Sequence, residues 1–343
     1  MKMKALVLEG PQNLVVRDVE LRDLLPNELL IKVKACGVCG TDLHMFNGEA
    51  GAFASSYPLI MGHEFAGVVT KVGEEVTEFR EGDRVAVDPN VYCGECFYCK
   101  RGDVHFCERM EGIGTTRDGG FAEYCIVPAK SAYLVDESID LDFAAMMEPL
   151  SCCLHGIQRS NIEIGGTVVI IGFGPIGQMI FELAKLSGAS DIVVLEAEES
   201  KRELAKSFGA RMAIDNIHEP VQSLLDKEGI NHISSIIECV GKVETMELAI
   251  SIATPKTTVM LFGLTSEEEE LTLLPYKQIF AKEITITASF INPLVANQVL
   301  ALLRANKVSL DEIITDRVRL EDAVDVFTNQ DYRRRGKILI GDF

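Results

Sequence analysis

Thr167-Val168-Val169-Ile170-Ile171-Gly172-Phe173-Gly174-Pro175-Ile176-Gly177 runs from an apolar segment straight into a glycine-rich turn. The apolar run Val168 to Ile171, opened by the β-branched Thr167, suits a parallel strand buried on both faces. The next six fit G-x-G-x-x-G, and residues 178–187 carry helical periodicity. Strand, glycine turn and helix, in that order, are the setting in which this fingerprint indicates dinucleotide binding. Gly172 makes the turn, Gly174 lets backbone amides approach a pyrophosphate, and Gly177 allows close helix–strand packing. Pro175 and Ile176 lie between the last two glycines, where the helix N-terminus faces the phosphates.

Downstream the alternation continues. A second strand over 191–195 ends in Glu196, 24 positions after Gly172. A carboxylate there holds the adenosine ribose of NAD and repels the extra phosphate of NADP. Glu198 and Glu199 add to that repulsion, with Lys201 and Arg202 following; a solvated strand end is the plain alternative. NAD is the expected cofactor. Helices over 201–208, 220–227 and 243–253 alternate with strands over 211–214, 233–240, 257–262 and 284–288. This pattern predicts a Rossmann doubly wound parallel sheet. Ligands belong beyond the carboxyl ends of its strands, where Val240, Gly241 and Gly263 fall. The acidic run 267–270 reads as a solvated loop, and Cys239 as core.

Upstream the texture is β-rich. Residues 14–16, 29–33, 65–73 and 83–87 are short alternating runs punctuated by Pro11, Pro26 and Asn27, which predicts a barrel-like β domain. Within it, Cys39-Gly40-Thr41-Asp42-Leu43-His44 and Gly62-His63-Glu64 bring cysteine, histidine and carboxylate within 26 positions. These are the side chains that bind zinc, and a catalytic site takes three of them and leaves one place open. Cys39 and His63 are the first candidates, with Glu64 adjoining; a buried cysteine beside a core histidine is the alternative. Cys93, Cys96, Cys99 and Cys107 have the spacing of a closed, structural zinc. Glu148 lies in an apolar helical context and is costly unless satisfied by a metal, an arginine or backbone amides. The last stretch holds a helix over 294–305, a short helix over 320–327 and a strand over 337–340. It is expected to return to the first domain. The organisation predicted is a β domain over 1–150 with its cysteine lobe at about 90–110, a dinucleotide-binding domain over 151–290, and a completing segment over 291–343.

Composition bounds the function. A chain of 343 residues exceeds one comfortable core, and 47% apolar with 25% charged residues describes a soluble globular protein. No apolar run reaches the roughly 18 residues of a membrane span. A formal charge of −19 argues against nucleic acid as a partner. The basic start is cut short by Glu9-Gly10-Pro11, so it reads as a first strand and the protein as cytoplasmic. Ten cysteines then indicate metal sites or buried thiols rather than disulfides.

Taken together, the Cys39–His44 and Gly62–Glu64 motifs, the four-cysteine lobe, the glycine turn and Glu196 resemble the zinc-dependent medium-chain alcohol dehydrogenases, over essentially the whole chain. Asp88-Pro89-Asn90 and Glu148-Pro149-Leu150-Ser151 are similar to the polyol (sorbitol-type) branch. The resemblance implies a GroES-like catalytic domain, two zinc ions per chain, NAD, a small hydroxylated substrate and a homotetramer. It implies hydride transfer between a secondary alcohol and its ketone. Catalytic zinc would lie on Cys39 and His63, with Glu64 or Glu148 as third ligand. Thr41 and His44 would relay the alcohol proton, and Asp42 would hold the other ring nitrogen of His63. L-Threonine 3-dehydrogenase shares the layout; a non-catalytic NAD-binding redox sensor is the alternative from another class. A phosphorylated substrate would need a cationic anchor, for which Arg117 is the candidate.

Overall fold

The structure, a computed structural model, describes residues 1–49, 56–329, 331–332 and 335–341. The chain divides into two units, Met1–Ser151 with Asn292–Phe343, and Cys152–Ile291.

In the first unit everything is laid against strand Glu28–Gly37. It pairs antiparallel with Glu64–Val72, with Tyr124–Pro128 and with the returning strand Lys337–Gly341. The full sheet has seven strands, extended on one side by Arg84–Val87 and Ala132–Leu134 and on the other by Ile314–Arg319. A smaller sheet joins Asn13–Glu20, Lys2–Gly10 and Leu59–Ile60. Alternation along Glu28–Gly37 sends Leu29, Ile31 and Val33 into a core with Phe65, Val85, Phe121 and Phe327. Two register shifts, at Leu30/Ile31 and Val33/Ala35, end with Gly37 opposite Glu64 and Cys36 opposite Phe65. On its other side the same strand end meets Leu339 and Ile340. Bulges of this kind re-aim side chains near functional sites.

The second unit is a six-stranded, wholly parallel sheet. Its order is Met212–Ile214, Asp191–Leu195, Thr167–Ile171, Ser235–Glu238, Thr258–Leu261, Thr285–Ala288. This is the Rossmann arrangement, with the order reversing beside Thr167–Ile171. Val168 to Ile171 are fully buried, as the unbroken apolar run requires. Helices Pro175–Leu186, Glu199–Ser207 and Val243–Ile252 connect the strands.

Two local features have no clear sequence signal. Gly40–Asn47 is a helix: Asp42 Oδ2 accepts the Cys39 N–H at 2.8 Å, and Gly48 closes it at φ 79°. Pro275–Phe280 forms a π-helical turn before the last strand of the sheet.

At the base of the cysteine lobe, Asp88 Oδ1 accepts the N–H and side-chain amide of Asn90 at 3.0 and 2.8 Å. Asn292 closes the cluster, its Oδ1 accepting from Asn90 Nδ2 at 2.6 Å. Burial pushes the Asp88 carboxyl up to about 6, against the pull of those amides. A carboxyl raised in the folded state stabilises below its unfolded pKa, and that contribution is lost as pH rises through the folded value. Asp88→Asn keeps the acceptor oxygen and removes the charge. Its stability relative to the parent should therefore grow between about pH 4 and pH 7, by on the order of 2–3 kcal/mol. Denaturation of both proteins across that range checks this; a constant difference would show that Asp88 ionises normally.

Candidate catalytic metal site and dinucleotide cradle

Cys39 caps helix Gly40–Asn47, and His63 and Glu64 open strand Glu64–Val72. The Cys39 thiol, a His63 ring nitrogen and a Glu64 carboxylate oxygen all lie within 4.8 Å of one another. Glycines make room for the group. A side chain on Gly37 would meet Glu64 Oε2 at 2.1 Å, and one on Gly62, at φ 93°, would meet the Phe121 ring at 2.7 Å. Behind His63 stands Asp42, fully buried, with Oδ1 3.4 Å from His63 Nδ1. Burial disfavours an imidazolium here, but Asp42 and Cys39 outweigh it and hold His63 well above the ordinary histidine range. A group that draws a proton so firmly favours a cation. Thiol, imidazole and carboxylate are zinc's donor set, and a carboxylate behind the histidine is the usual outer partner.

The structure adds a residue that sequence reasoning missed. Lys337 Nζ donates to both oxygens of Glu64 at 2.7 Å and to the Val38 carbonyl at 3.1 Å. Both members of the pair are buried. Burial disfavours the ammonium charge, yet Glu64, then Cys39 and Glu148, hold it above the usual lysine range. Glu64 is thus shared between the candidate metal group and a buried cation. Glu148 is buried and close enough to act on Lys337, but it lies outside the group formed by Cys39, His63 and Glu64. A lysine opening the apolar strand Lys337–Gly341 was the one available hint. Removing one partner of a buried pair strands the other charge. Lys337→Met should therefore cost the metal-free protein about 3–5 kcal/mol in urea unfolding, and Lys337→Arg should recover most of it. Unchanged stability in Lys337→Met would mean that Glu64 does not depend on this partner.

Thr41 Oγ1 lies 3.9 Å from Cys39 Sγ. His44 is half exposed, and its Nδ1 pairs with Glu49, a second partner absent from the sequence reading. Among the described hydrogen bonds none joins Thr41 to His44. Arg117 is committed elsewhere, to Glu111 at 3.1 Å and Glu28 at 3.4 Å, while Glu28 also takes both amines of Arg22. It is an ion-pair residue rather than a ready phosphate anchor.

The sulfurs of Cys93, Cys96, Cys99 and Cys107 converge within 4.8 Å in a lobe closed by strands Asn90–Val91 and Glu111–Gly112. Amides turn inward: Glu95 and Cys96 N–H donate to Cys93 Sγ at 3.4 and 3.3 Å, and Cys93 and Arg109 N–H to Cys107 Sγ at 3.3 and 3.4 Å. The Glu95 amide leads in lowering the Cys93 thiol to about 6; Cys99 goes the other way, pushed by burial up to about 12. Four converging sulfurs with inward amides fit a closed tetrahedral zinc.

In the second unit, Gly172 has φ 91°, and a Cβ on it would strike Val240 Cγ2 at 2.7 Å. A Cβ on Gly177 would meet the Gly172 carbonyl at 2.1 Å, whereas Gly174 faces open space. The helix starts at Pro175 without a side-chain cap, which leaves its first N–H groups for phosphate oxygens. The cradle fits a pyrophosphate. Glu196, buried at the strand end, accepts the Phe173 N–H at 2.7 Å and the Glu198 N–H at 2.9 Å. It braces the glycine turn, and each oxygen keeps a second lone pair for a ribose hydroxyl. Val240 is exposed beyond strand Ser235–Glu238, and Gly263 packs on Gly241 too closely for any side chain.

A zinc-type donor group, a closed cysteine lobe and a Rossmann unit with a pyrophosphate cradle define a zinc- and dinucleotide-dependent oxidoreductase. Residues 25–137 match the alcohol dehydrogenase GroES-like domain, and residues 175–305 match the zinc-binding dehydrogenase domain. The chain is 32% identical over 342 residues to starvation-sensing protein RspB of Escherichia coli (strain K12), covering 98% of this chain and 99% of that one. It is 32% identical over 345 residues to D-arabinitol dehydrogenase 1 of Uromyces fabae, covering 99% and 97%. A Sinorhizobium meliloti 1021 protein described as a zinc-binding dehydrogenase, solved bound to NADP, is 36% identical with a TM-score of 0.95 over 100% of both chains. The chain belongs to the zinc-dependent alcohol dehydrogenase family, among its polyol dehydrogenase relatives.

Proposed function

We propose that this protein oxidises a secondary hydroxyl of a polyol or sugar-like substrate to the ketone, using NAD in preference to NADP. The observation that carries the reading is the convergence of Cys39, His63 and Glu64 within 4.8 Å. The similarity to D-arabinitol dehydrogenase 1 supports the substrate class. The Sinorhizobium protein holds NADP. Here the buried carboxylate of Glu196 favours NAD, because it accepts from ribose hydroxyls and repels a phosphate.

Cys39, His63 and Glu64 would hold zinc, which would supply the Lewis acidity that lowers the pKa of a substrate hydroxyl. NAD, when bound in the glycine cradle, supplies the hydride acceptor. The chain's own residues do the rest. Asp42 stands behind the His63 ring and orients it, and Thr41 receives the alcohol proton beside Cys39. His44, its Nδ1 tied to Glu49, would take the proton at its other nitrogen through an intervening carrier, since no described hydrogen bond joins it to Thr41. The cysteine lobe has no open place and acts structurally. A cytoplasmic homotetramer completes the proposal. Among the described residues no helix is long and apolar enough to cross a membrane. Edge strand Thr285–Ala288, with the exposed stacked rings of Tyr276 and Phe280 close before it in the chain, offers a subunit contact.

The deciding experiment is a screen for NADH formation over polyols, aldoses, sugar acids and threonine, repeated with NADP, alongside metal analysis and light scattering. Turnover of a polyol with NAD, two zincs per chain and a tetramer are expected. Turnover of threonine alone would move the substrate out of this class, and equal use of NADP would show that Glu196 does not select.

The two carboxylates are separated by metal content. With Glu64 as ligand, Glu64→Gln should lower zinc content and turnover together. Glu148→Gln should keep its zinc and instead lower the apparent pKa of turnover, since a nearby negative charge has gone. The reverse pattern of zinc loss would make Glu148 the ligand.

A further inference from the structure

Glu238 ends the strand Ser235–Glu238, beside the point where the sheet order reverses. Its side chain has no solvent exposure, and no cationic side chain pairs with it among the described residues. A buried carboxylate without a counter-charge is costly, so its surroundings must offset the loss of water. One oxygen is well served. Oε1 accepts the Val240 N–H at 2.8 Å, the Gly241 N–H at 2.9 Å and the Thr245 hydroxyl at 2.8 Å. Val240 and Gly241 directly precede helix Val243–Ile252, whose positive end has no side-chain cap of its own, and Thr245 stands in its first turn. The other oxygen, Oε2, is buried without a hydrogen-bond partner, and a Cβ on Gly263 would come within 2.8 Å of it.

The same residue holds a second loop through its backbone. The Glu238 carbonyl accepts the N–H groups of Phe262 and Gly263, both at 2.9 Å. The two loops interlock. A side chain on Gly241 would strike the Leu264 carbonyl at 2.4 Å, and one on Gly263 would strike Gly241 N at 2.1 Å. Between them Val240 projects outward, its Cγ2 closing over Gly172 of the glycine turn. With the Val240 and Gly241 amides turned inward, the loop presents Val240 as an apolar wall to the side where a ligand of this sheet lies.

We propose that Glu238 is a positioning residue for the dinucleotide: it pre-shapes the 239–242 and 262–264 loops around the nicotinamide half, without touching the cofactor. The inference rests on the dinucleotide reading above. Pre-shaped loops bind with less ordering cost, so loosening them weakens affinity before it affects chemistry.

The test uses the zinc-loaded protein, with NADH binding followed by fluorescence alongside zinc content, circular dichroism and the split between KM for NAD and kcat. Glu238→Ala should weaken NADH binding roughly tenfold and raise KM more than it lowers kcat, with zinc content unchanged. Glu238→Gln, which keeps an acceptor oxygen, should restore affinity to within about threefold, and Thr245→Val, which removes one donor, should weaken it about threefold. Unchanged NADH affinity in folded Glu238→Ala overturns the proposal. Should that variant not fold, unchanged affinity in Thr245→Val does so instead. The parent is titrated first with NADH and NADPH; binding of neither overturns the dinucleotide reading and this inference with it.

Discussion

Glu64 and Lys337 are 273 residues apart in the chain and 2.7 Å apart in the folded protein. Strand Glu28–Gly37 makes this possible, because it takes Glu64–Val72 on one side and Lys337–Gly341 on the other. Gly37, the end of that strand, has no side chain to obstruct the contact. The candidate metal group is built around the result. A fixed Glu64 leaves Cys39 and His63 to approach from the helix cap and the preceding turn, with Asp42 behind. Asp42 and Glu64 bring buried carboxylates to the group, and the buried ammonium of Lys337 faces Glu64.

The two units solve the same problem differently. In the first, side chains meet by strand pairing across long sequence distances, and the polar atoms are charged. In the second, backbone amides do most of the holding: Phe173 and Glu198 on Glu196, Val240 and Gly241 on Glu238. Two buried carboxylates at neighbouring parts of one sheet end thus act as anchors for loops, and both loops frame the glycine turn.

This division explains what could be read in advance. The parallel sheet was legible because its signals are local: an apolar run, three glycines at fixed spacing, and alternating helices and strands. The cysteine lobe was legible from spacing alone, and the pairing of Cys39 with His63 and Glu64 from two short motifs. Lys337 was not, since its role depends on which strand it returns beside. Glu196 shows a subtler limit. A carboxylate at a strand end looks the same in sequence whether it waits for a ribose or already holds an amide, and here it has lone pairs for both. Arg117 fails for the opposite reason, since positive charge is visible in sequence but the Glu28 and Glu111 that occupy it are not. Glu238 passed unnoticed inside an apolar strand, where only its burial makes it unusual.

The first unit is discontinuous, and this bears on how the protein is made. Residues Cys152–Ile291 form an uninterrupted unit that leaves the ribosome whole. Strand Glu28–Gly37 must wait for its neighbour Lys337–Gly341 until that entire unit has been synthesised. Through that interval Glu64 has no ammonium to meet, and one flank of the sheet stays open. The nascent chain therefore carries the whole nucleotide-binding segment before the lysine that faces Glu64 has been made.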